Sequence, residues 1–341
     1  MNIWYSSYQL YPKNSMNSQS RTKFRTGALL RVRFEDESVG YADVCPFPEM
    51  GDRPVELELK QISLSKPTHL GARSLAFARL DATARAQGVS LFDSKIQLVN
   101  HFLISDIFSF DTNRIAGLVQ EGYLHFKVKM GRDLANESLK LENLVQCFGS
   151  CQETAQGSTA DHKIQLRLDF NASLSRDRFL AWLDKNQKGI QPYLEFIEDP
   201  CPYDFKEWLD VGARRDIRLA LDLAADPVVT DAVGADIVVV KPAVQDVESV
   251  IRKFKGRDKK IVMTHYMDFP VGQMCALYSA QRASLELGQQ MLVCGLQHHD
   301  VYEGFTFQDE VKSDGPIIVP PAGTGLGFDK LLERLKWSEL S

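Results

Sequence analysis

Short apolar runs alternate with helical segments through the middle of the chain, from about residue 101 to 300. Several runs are almost continuous in Val, Ile and Leu, which is typical of parallel strands covered on both faces. The runs predict strands at 101–104, 124–129, 164–169, 193–198, 217–222, 236–241, 260–264 and 291–294. Apolar residues at three- and four-residue steps predict helices at 113–121, 133–148, 175–188, 205–213, 245–255 and 271–287.

This alternation predicts an α/β fold of the TIM-barrel type, because about eight strands and their helices occupy the length of one such barrel. A doubly wound open sheet is the alternative. That fold usually carries a glycine-rich turn after its first strand, and this sequence lacks one.

The first hundred residues follow a different pattern. Residues 28–34 and 39–44 are strand-like runs joined by a polar turn, which predicts a hairpin. Helical spacing follows at 55–62 and 73–87, after a loop that contains several prolines. We therefore predict a separate α+β unit at residues 1–100.

The composition is that of an ordinary globular protein, with 44 % apolar and 25 % charged residues among 341. The net charge of −5 disfavours a nucleic-acid-binding surface and leaves a small molecule as the expected partner. Six scattered cysteines without a CxxC motif indicate a reducing compartment. The sequence has no leader-like segment and no uninterrupted apolar stretch of about 18 residues, so we expect a cytoplasmic protein that does not enter a membrane. The sequence does not indicate an oligomeric state.

Five consecutive predicted strands end in ionisable residues. These ends are informative, because chemistry in such barrels lies at the carboxyl ends of the strands. One charged strand end usually marks only the point where a strand meets solvent, but five in register are hard to explain that way. The residues are Lys127 and Lys129 on one strand, followed by Asp169, Glu198, Asp222 and Lys241.

Three of these strand ends are the carboxylates Asp169, Glu198 and Asp222. Their mutual repulsion at one mouth of the barrel would be costly without a cation between them. Oxygen ligands with no His or Cys among them favour Mg²⁺. Lysines flank the trio on both sides, and we expect their pKa values to be lowered, as a lysine general base requires near neutral pH.

The series KVK, LDFN, IEDP, ALD and VVVKP resembles the enolase superfamily, in particular its muconate-lactonising branch. The segments 40–43 and 46–48 are similar to the capping domain of that family, whose loop closes over the substrate. The resemblance implies a (β/α)7β TIM-like barrel at residues 101–300. It also implies an N-terminal α+β capping domain at 1–100, completed by about 301–341.

The resemblance assigns roles to the carboxylates and to residues near them. Asp169, Glu198 and Asp222 match the ligands of Mg²⁺, for which Mn²⁺ can substitute. The expected supporting residues are Asn171, Asp199 and Arg167, which would orient the ligands, and Thr264 and Gly295, which would contact the substrate.

The three lysines receive different roles by the same resemblance. Lys129 matches the base that removes the proton alpha to a carboxylate. Lys241 matches the lysine on the opposite face, which stabilises the enediolate. Lys127 is expected to hold the substrate carboxylate and to tune Lys129.

The branch includes muconate-lactonising enzymes, dipeptide epimerases and o-succinylbenzoate synthases, and the pattern is most similar to the synthases. That likeness implies a lyase, which performs the Mg²⁺-dependent syn-dehydration of 2-succinyl-6-hydroxy-2,4-cyclohexadiene-1-carboxylate in menaquinone biosynthesis. An N-acylamino-acid racemase or dipeptide epimerase would use the same residues, with Lys129 and Lys241 acting on opposite faces. A non-catalytic barrel that only binds a metabolite is the third interpretation.

Three places depart from the family pattern. Residues 264–270 (THYMDFP) stand where many relatives have a Ser-Ser-x-x-Glu run. Asp43 replaces a common Glu in the capping hairpin, and Leu223 follows Asp222 where Glu is frequent. These changes leave the choice of substrate open.

Three further features are interpreted as structural. The HHD run at 298–300 is expected to be an ordinary loop, since no third spaced metal ligand accompanies it. Cys201 is expected to be a small buried residue rather than a nucleophile. The glycine-rich segment 323–327 resembles a phosphate loop only superficially, because no GK[ST] follows it, and we expect it to return the chain to the capping domain.

Overall fold

The computed structural model describes residues 1–13, 24–154, 163–223, 225, 231–297 and 301–341. The N-terminal part contains an antiparallel sheet of three consecutive strands, namely β1 (Asn2–Leu10), β2 (Arg25–Arg33) and β3 (Val39–Val44). The outer edge of β1 pairs with a short segment near the C-terminus, Ser338–Glu339. β2 and β3 confirm the predicted hairpin. The pattern analysis missed β1, because only Ile3 and Leu10 of its nine residues are buried and its burial does not alternate.

Two helices pack on this sheet, α1 (Val55–Ser63) and α2 (His69–Ala86). α2 begins four residues earlier than predicted, because the Thr68 side chain accepts a hydrogen bond from the Gly71 amide and so caps the helix. β3 approaches α2 so closely that a Cβ on Gly40 would fall 1.9 Å from the carbonyl oxygen of Ala78. Only glycine is compatible with that contact.

The central element is a parallel sheet of seven strands in sequential order. Its strands are β4 (Phe102–Ile104), β5 (His125–Lys129), β6 (Gln165–Asp169), β7 (Leu194–Glu198), β8 (Leu219–Leu221), β9 (Ile237–Val240) and β10 (Lys260–Met263). Residues 291–295 supply the eighth position, where the Leu292 amide donates to Ile261 O and the His101 amide donates to Cys294 O. These bonds join β10 to β4 and close the sheet, which confirms the predicted (β/α)7β barrel.

Helices surround the barrel in the order that the pattern predicted. They are α3 (Arg114–Gln120), α4 (Leu134–Thr154), α5 (Arg176–Ile190), α6 (Phe205–Arg215), α7 (Val247–Phe254) and α8 (Pro270–Leu287). Ser175 and Asp204 cap α5 and α6 through their side-chain oxygens. α8 is buried over most of its surface rather than on one stripe, because it contacts both α7 and β3. Among the described residues, no helix is long and apolar enough to cross a membrane.

The C-terminal part comprises α9 (Thr306–Glu310), β11 (Lys312–Asp314), β12 (Ile317–Val319), α10 (Asp329–Arg334) and β13 (Ser338–Glu339). The glycine-rich segment between β12 and α10 lies against α2, where the Leu326 amide donates to Asp81 at 2.6 Å. A Cβ on Gly325 would fall 2.0 Å from an oxygen of the same carboxylate. The glycines therefore allow the chain to approach Asp81.

Candidate active site

The predicted ionisable residues lie together at the carboxyl ends of β5 to β9. Parallel pairing places Lys129 beside Asp169, and Asp169 beside Glu198. All three side chains are buried, with exposures of 9 %, 1 % and 1 %. β5 and β9 lie four positions apart in an eight-position barrel, so Lys129 and Lys241 approach the centre from opposite sides.

Each carboxylate of this cluster contacts a lysine. The Lys127 Nζ lies 2.6 and 2.8 Å from the two carboxylate oxygens of Glu198 and 2.9 Å from Asp169 Oδ2. The Lys129 Nζ lies 3.3 Å from the same Asp169 oxygen. Lys241 pairs with Asp222. The lysines thus balance the negative charge that three adjacent strand ends bring together.

The surroundings shift the pKa values of the two lysines of β5 in opposite directions. Burial lowers the pKa of Lys129, and the neighbouring Lys127 ammonium lowers it further, while Asp169 opposes both effects. Burial also disfavours the charged form of Lys127, but Asp169 and Glu198 outweigh it and raise the pKa of Lys127 well above its usual range. The expectation of lowered pKa values is therefore confirmed for Lys129 and wrong for Lys127, which lies between two carboxylates.

The carboxylates are similarly perturbed. Burial and the charge of Asp169 raise the pKa of Glu198 to about 8. Burial and the charge of Asp222 raise the pKa of Asp199 to about 7. Asp199 accepts hydrogen bonds from the Asp222 and Leu223 amides at 3.1 and 2.8 Å, so it holds the end of β8 in place. Like charges crowded into a buried space favour a cation among them.

The donor set suits a hard divalent cation, because it consists of three carboxylates with no His or Cys among them. Asp169 Oδ2 is buried and lies in the ion pairs with both lysines, but it makes no hydrogen bond of normal geometry to any residue that the structure describes. As placed, no three His, Cys, Asp or Glu side chains within the described ranges are gathered closely enough to hold a metal ion. The ammonium groups of Lys127 and Lys241 lie against the carboxylates instead.

Asn171 contributes at the same place. Its backbone amide donates to Asp169 Oδ1 at 3.0 Å, and its side-chain oxygen accepts from the Lys129 Nζ at 3.2 Å. Asn171 has a φ of +48°, in the left-handed region that asparagine tolerates better than most residues. It therefore positions both the predicted base and a predicted ligand.

The cluster opens into a cavity with about 610 Å³ of empty space. Phe47 and Met50, from the loop after β3, form part of its wall, as the resemblance implied. Sequence reasoning missed several other lining residues, namely His101, Leu103, His265, Tyr266 and Gln297. Two signals were available: His101 adjoins β4, and His265 and Tyr266 belong to the atypical run at 264–270 that follows β10.

The remaining predicted residues lie at different depths. Thr264 lines the cavity, and its hydroxyl oxygen is buried with no hydrogen-bond partner in the described part of the chain. Gly295 lies against His101, where a Cβ would fall 2.4 Å from the imidazole ring, so glycine is needed for this packing. Arg167 is fully buried, and it donates to Glu195 at 2.6 Å and to the Val293 carbonyl at 2.8 Å. Arg167 also lies 2.9 Å from Nδ1 of His101, and none of these three partners is a predicted metal ligand.

The other interpretations have different outcomes. Cys201 is buried at 2 % exposure, as expected, and burial raises the pKa of its thiol to about 11. A thiol in that state is a poor nucleophile. Residues 298–300 lie outside the described residues.

Solved structures share this fold. The muconate lactonizing enzyme from Mucobacterium Smegmatis, complexed with muconolactone, has a TM-score of 0.74 at 18 % identity, covering 98 % of this chain and 99 % of that one. The L-Ala-D/L-Glu epimerase from Bacillus subtilis has a TM-score of 0.73 at 14 % identity, covering 95 % and 97 %. The chain therefore has the capped barrel fold of these enzymes.

Sequence relatives narrow the assignment. A family model described as the N-terminal domain of o-succinylbenzoate synthase matches residues 3–84. The chain is 34 % identical to the o-succinylbenzoate synthase of Bdellovibrio bacteriovorus, covering 99 % of this chain and 98 % of the relative. The chain belongs to the o-succinylbenzoate synthase family, and its members are lyases.

Proposed function

We propose that this protein dehydrates 2-succinyl-6-hydroxy-2,4-cyclohexadiene-1-carboxylate to o-succinylbenzoate, with Lys129 as the base. The observation that carries the proposal is the state of Lys129, which is buried at the cavity wall with a lowered pKa. A lysine of this kind is neutral in a larger fraction near pH 7 and can accept a proton. Family membership supports the choice of substrate.

Lys129 serves both halves of the reaction. The neutral amine removes the proton alpha to the substrate carboxylate, and the electron pair of that C–H bond moves toward the carboxylate. The ammonium that results then gives its proton to the departing hydroxyl group on the same face, and water leaves as the ring becomes aromatic. Asn171 and Asp169 hold the Lys129 Nζ in place through contacts at 3.2 and 3.3 Å.

We assign Asp169, Glu198 and Asp222 as the residues that would hold Mg²⁺, or Mn²⁺ in its place. A bound divalent cation would supply electrostatic stabilisation of negative charge on the substrate carboxylate. The dipeptide epimerase from Cytophaga hutchinsonii, whose structure is complexed with Mg and a dipeptide, shares the fold with a TM-score of 0.71 at 14 % identity, covering 100 % of this chain and 99 % of that one. Asp199 and Asn171 would keep the ligands oriented.

Lys127 and Lys241 act as fixed positive charges. Lys127 has a raised pKa and stays an ammonium, so it can hold the substrate carboxylate and keep the pKa of Lys129 low. Lys241 lines the opposite wall and can stabilise the negative charge that develops on the substrate. Thr264 offers a hydroxyl group, which has no hydrogen-bond partner among the described residues, to a polar substituent of the substrate at the cavity wall.

Turnover of the cyclohexadiene substrate, followed by ultraviolet absorbance, tests this function. We expect the metal-loaded enzyme to remove the diene absorbance and to form o-succinylbenzoate. The facing lysines would also suit a racemase, so N-acylamino acids and dipeptides should be offered in D₂O in parallel. Exchange of the alpha proton in both enantiomers, without turnover of the diene, would replace the dehydratase assignment with the racemase or epimerase.

A further inference from the structure

The loop that follows β3, Cys45–Asp52, is here called the cap loop. Asp52 joins this loop to the barrel through one carboxylate oxygen. That oxygen accepts a hydrogen bond from the Phe47 amide at 2.7 Å and another from the Tyr266 hydroxyl at 2.9 Å. The first bond closes the loop on itself, and the second reaches the segment that follows β10.

Arg25 forms a second connection, deeper in the protein. Its guanidinium donates to the Cys45 and Pro46 carbonyls at 3.0 and 3.1 Å and to the Tyr266 carbonyl at 3.1 Å. The same guanidinium lies 4.2 Å from the centre of the Phe47 ring. Arg25 is only 2 % exposed, so it anchors the base of the cap loop.

The bond between Tyr266 and Asp52 lies at the boundary between two open spaces. Phe47, Met50 and Tyr266 line the catalytic cavity. Met50, Asp52 and Tyr266 also line a second open space, the outer groove, which is lined by Asp222 and Lys241 as well. Breaking this bond would remove one connection between the cap loop and the barrel and leave the Arg25 anchor intact.

We propose that Tyr266 is a positioning residue for the dehydration, and that its bond to Asp52 keeps Phe47 and Met50 closed over the bound substrate. The inference rests on the proposed function and explains part of the atypical run at 264–270. Tyr266 occupies a place in that run where its hydroxyl reaches the cap loop. The acceptor is a carboxylate, which makes this hydrogen bond one of the stronger kind.

In this proposal, the fraction of protein with a closed cap loop is the fraction that is ready to bind substrate. The hydrogen bond between Tyr266 and Asp52 is here called the latch. If loss of the latch lowers the closed fraction, the apparent affinity for substrate falls in proportion, while the chemical step is unchanged. We therefore expect Tyr266→Phe to raise KM by roughly tenfold and to change kcat by less than about twofold. Amide exchange in residues 45–52, measured by mass spectrometry, should accelerate by a similar factor.

Two further variants sharpen the experiment. Tyr203→Phe is the matched control, because the Tyr203 hydroxyl donates to the Val233 carbonyl at 2.8 Å, away from the cavity lining, and its removal should change neither readout. Asp52→Asn keeps an acceptor oxygen at the latch, so it should retain more of the wild-type KM than Asp52→Ala. A graded series of this kind is not expected from a general loss of stability.

The outcomes separate the latch from the function. Unchanged KM and unchanged exchange in Tyr266→Phe would overturn the proposal, as would a fall in kcat with exchange accelerated over the whole chain. The exchange measurement needs no substrate. If the wild-type protein failed to turn over the diene, the function would be refuted, while the exchange of residues 45–52 would still decide whether Tyr266 holds the loop.

Discussion

Buried charge is arranged differently on the two sides of the cavity. At the strand ends, ammonium and carboxylate groups mainly face one another, as Lys127 does with Glu198 and Asp169. At the seam between the cap loop and the barrel, charges face carbonyls, amides and hydroxyls. Arg25 donates to four backbone carbonyls and to the Tyr302 hydroxyl.

The difference indicates that the strand-end charges serve binding and chemistry, whereas the charge of Arg25 at the seam serves the stability of the fold. Ion pairs between side chains can be exchanged for a cation or a substrate carboxylate, because the carboxylates can bind the cation and the ammonium groups can bind the substrate carboxylate. A guanidinium with its partners fixed in the backbone has no such alternative, and removing it leaves buried carbonyls without donors. We therefore expect changes at the strand ends to alter chemistry and the loss of Arg25 at the seam to alter stability.

Replacing the base should give the largest effect. Lys129→Ala is expected to lower kcat by about 10²- to 10⁴-fold, since it removes the group that accepts and returns the proton. The free energy of unfolding of this variant, measured in urea, should not fall enough to explain the loss of kcat. Lys255→Ala is the control, because Lys255 lies in an exposed pair with Glu286 and should leave kcat unchanged. Substantial turnover by Lys129→Ala would assign the base to another residue.

Removal of divalent cations should have the next largest effect. Chelation is expected to abolish turnover, and added Mg²⁺ should restore it, because the carboxylates at the strand ends supply hard oxygen ligands. Glu198→Gln should bind Mg²⁺ more weakly by calorimetry, since it lacks one charged ligand. Full activity after exhaustive chelation would exclude the metal from the mechanism.

The two regions also differ in how far the sequence predicts them. Asp169, Glu198 and Asp222 each close an apolar run, so the pattern locates them and barrel geometry brings them together. The eight predicted strand positions all take part in the barrel for the same reason. The local hydrophobic pattern is sufficient to predict these positions because the barrel repeats the same strand-and-helix unit.

The seam could not be predicted in this way. Arg25 and Tyr266 are separated by 241 positions, and neither belongs to a periodic run that implies the other. The raised pKa of Lys127 was missed for a related reason, since the sequence does not show that Lys127 lies closer than Lys129 to two carboxylates. Distances between side chains depend on tertiary packing, and periodicity contains little information about it.

Arg25→Met tests the seam through its stability. We expect the free energy of unfolding to fall by about 2–4 kcal/mol, because buried carbonyls of the cap loop and of Tyr266 and Met267 lose their donor. Equilibrium urea unfolding measures this loss. The matched control is Arg79→Met, which removes an exposed pair with Asp36 and should leave stability nearly unchanged. If the free energy of unfolding fell equally in both variants, the buried contacts of Arg25 would add no more stability than the exposed pair of Arg79.

The smallest expected effect, counted per pH unit, is a pH dependence beside the seam, where β3 meets the segment that follows β10. Asp43 accepts from the Tyr8 hydroxyl at 2.5 Å and from the Phe269 amide at 3.1 Å, and it lies beside Asp268 against Gly272. Burial first, and then the charge of Asp268, raise the pKa of Asp43 well above its usual range, against these hydrogen bonds and the charge of Arg25.

A carboxyl whose pKa is higher in the folded state stabilises the fold when it is protonated. That contribution is complete below the unfolded pKa of about 4 and is lost as the pH rises through the folded value. Asp43→Asn cannot ionise, so its free energy of unfolding should fall less steeply with pH than that of the wild type. One proton contributes at most about 1.4 kcal/mol per pH unit to this slope. Parallel urea-unfolding profiles for the two proteins between about pH 5 and 8 would mean that Asp43 is already ionised in the fold, with Arg25, Tyr8 and the Phe269 amide outweighing its burial.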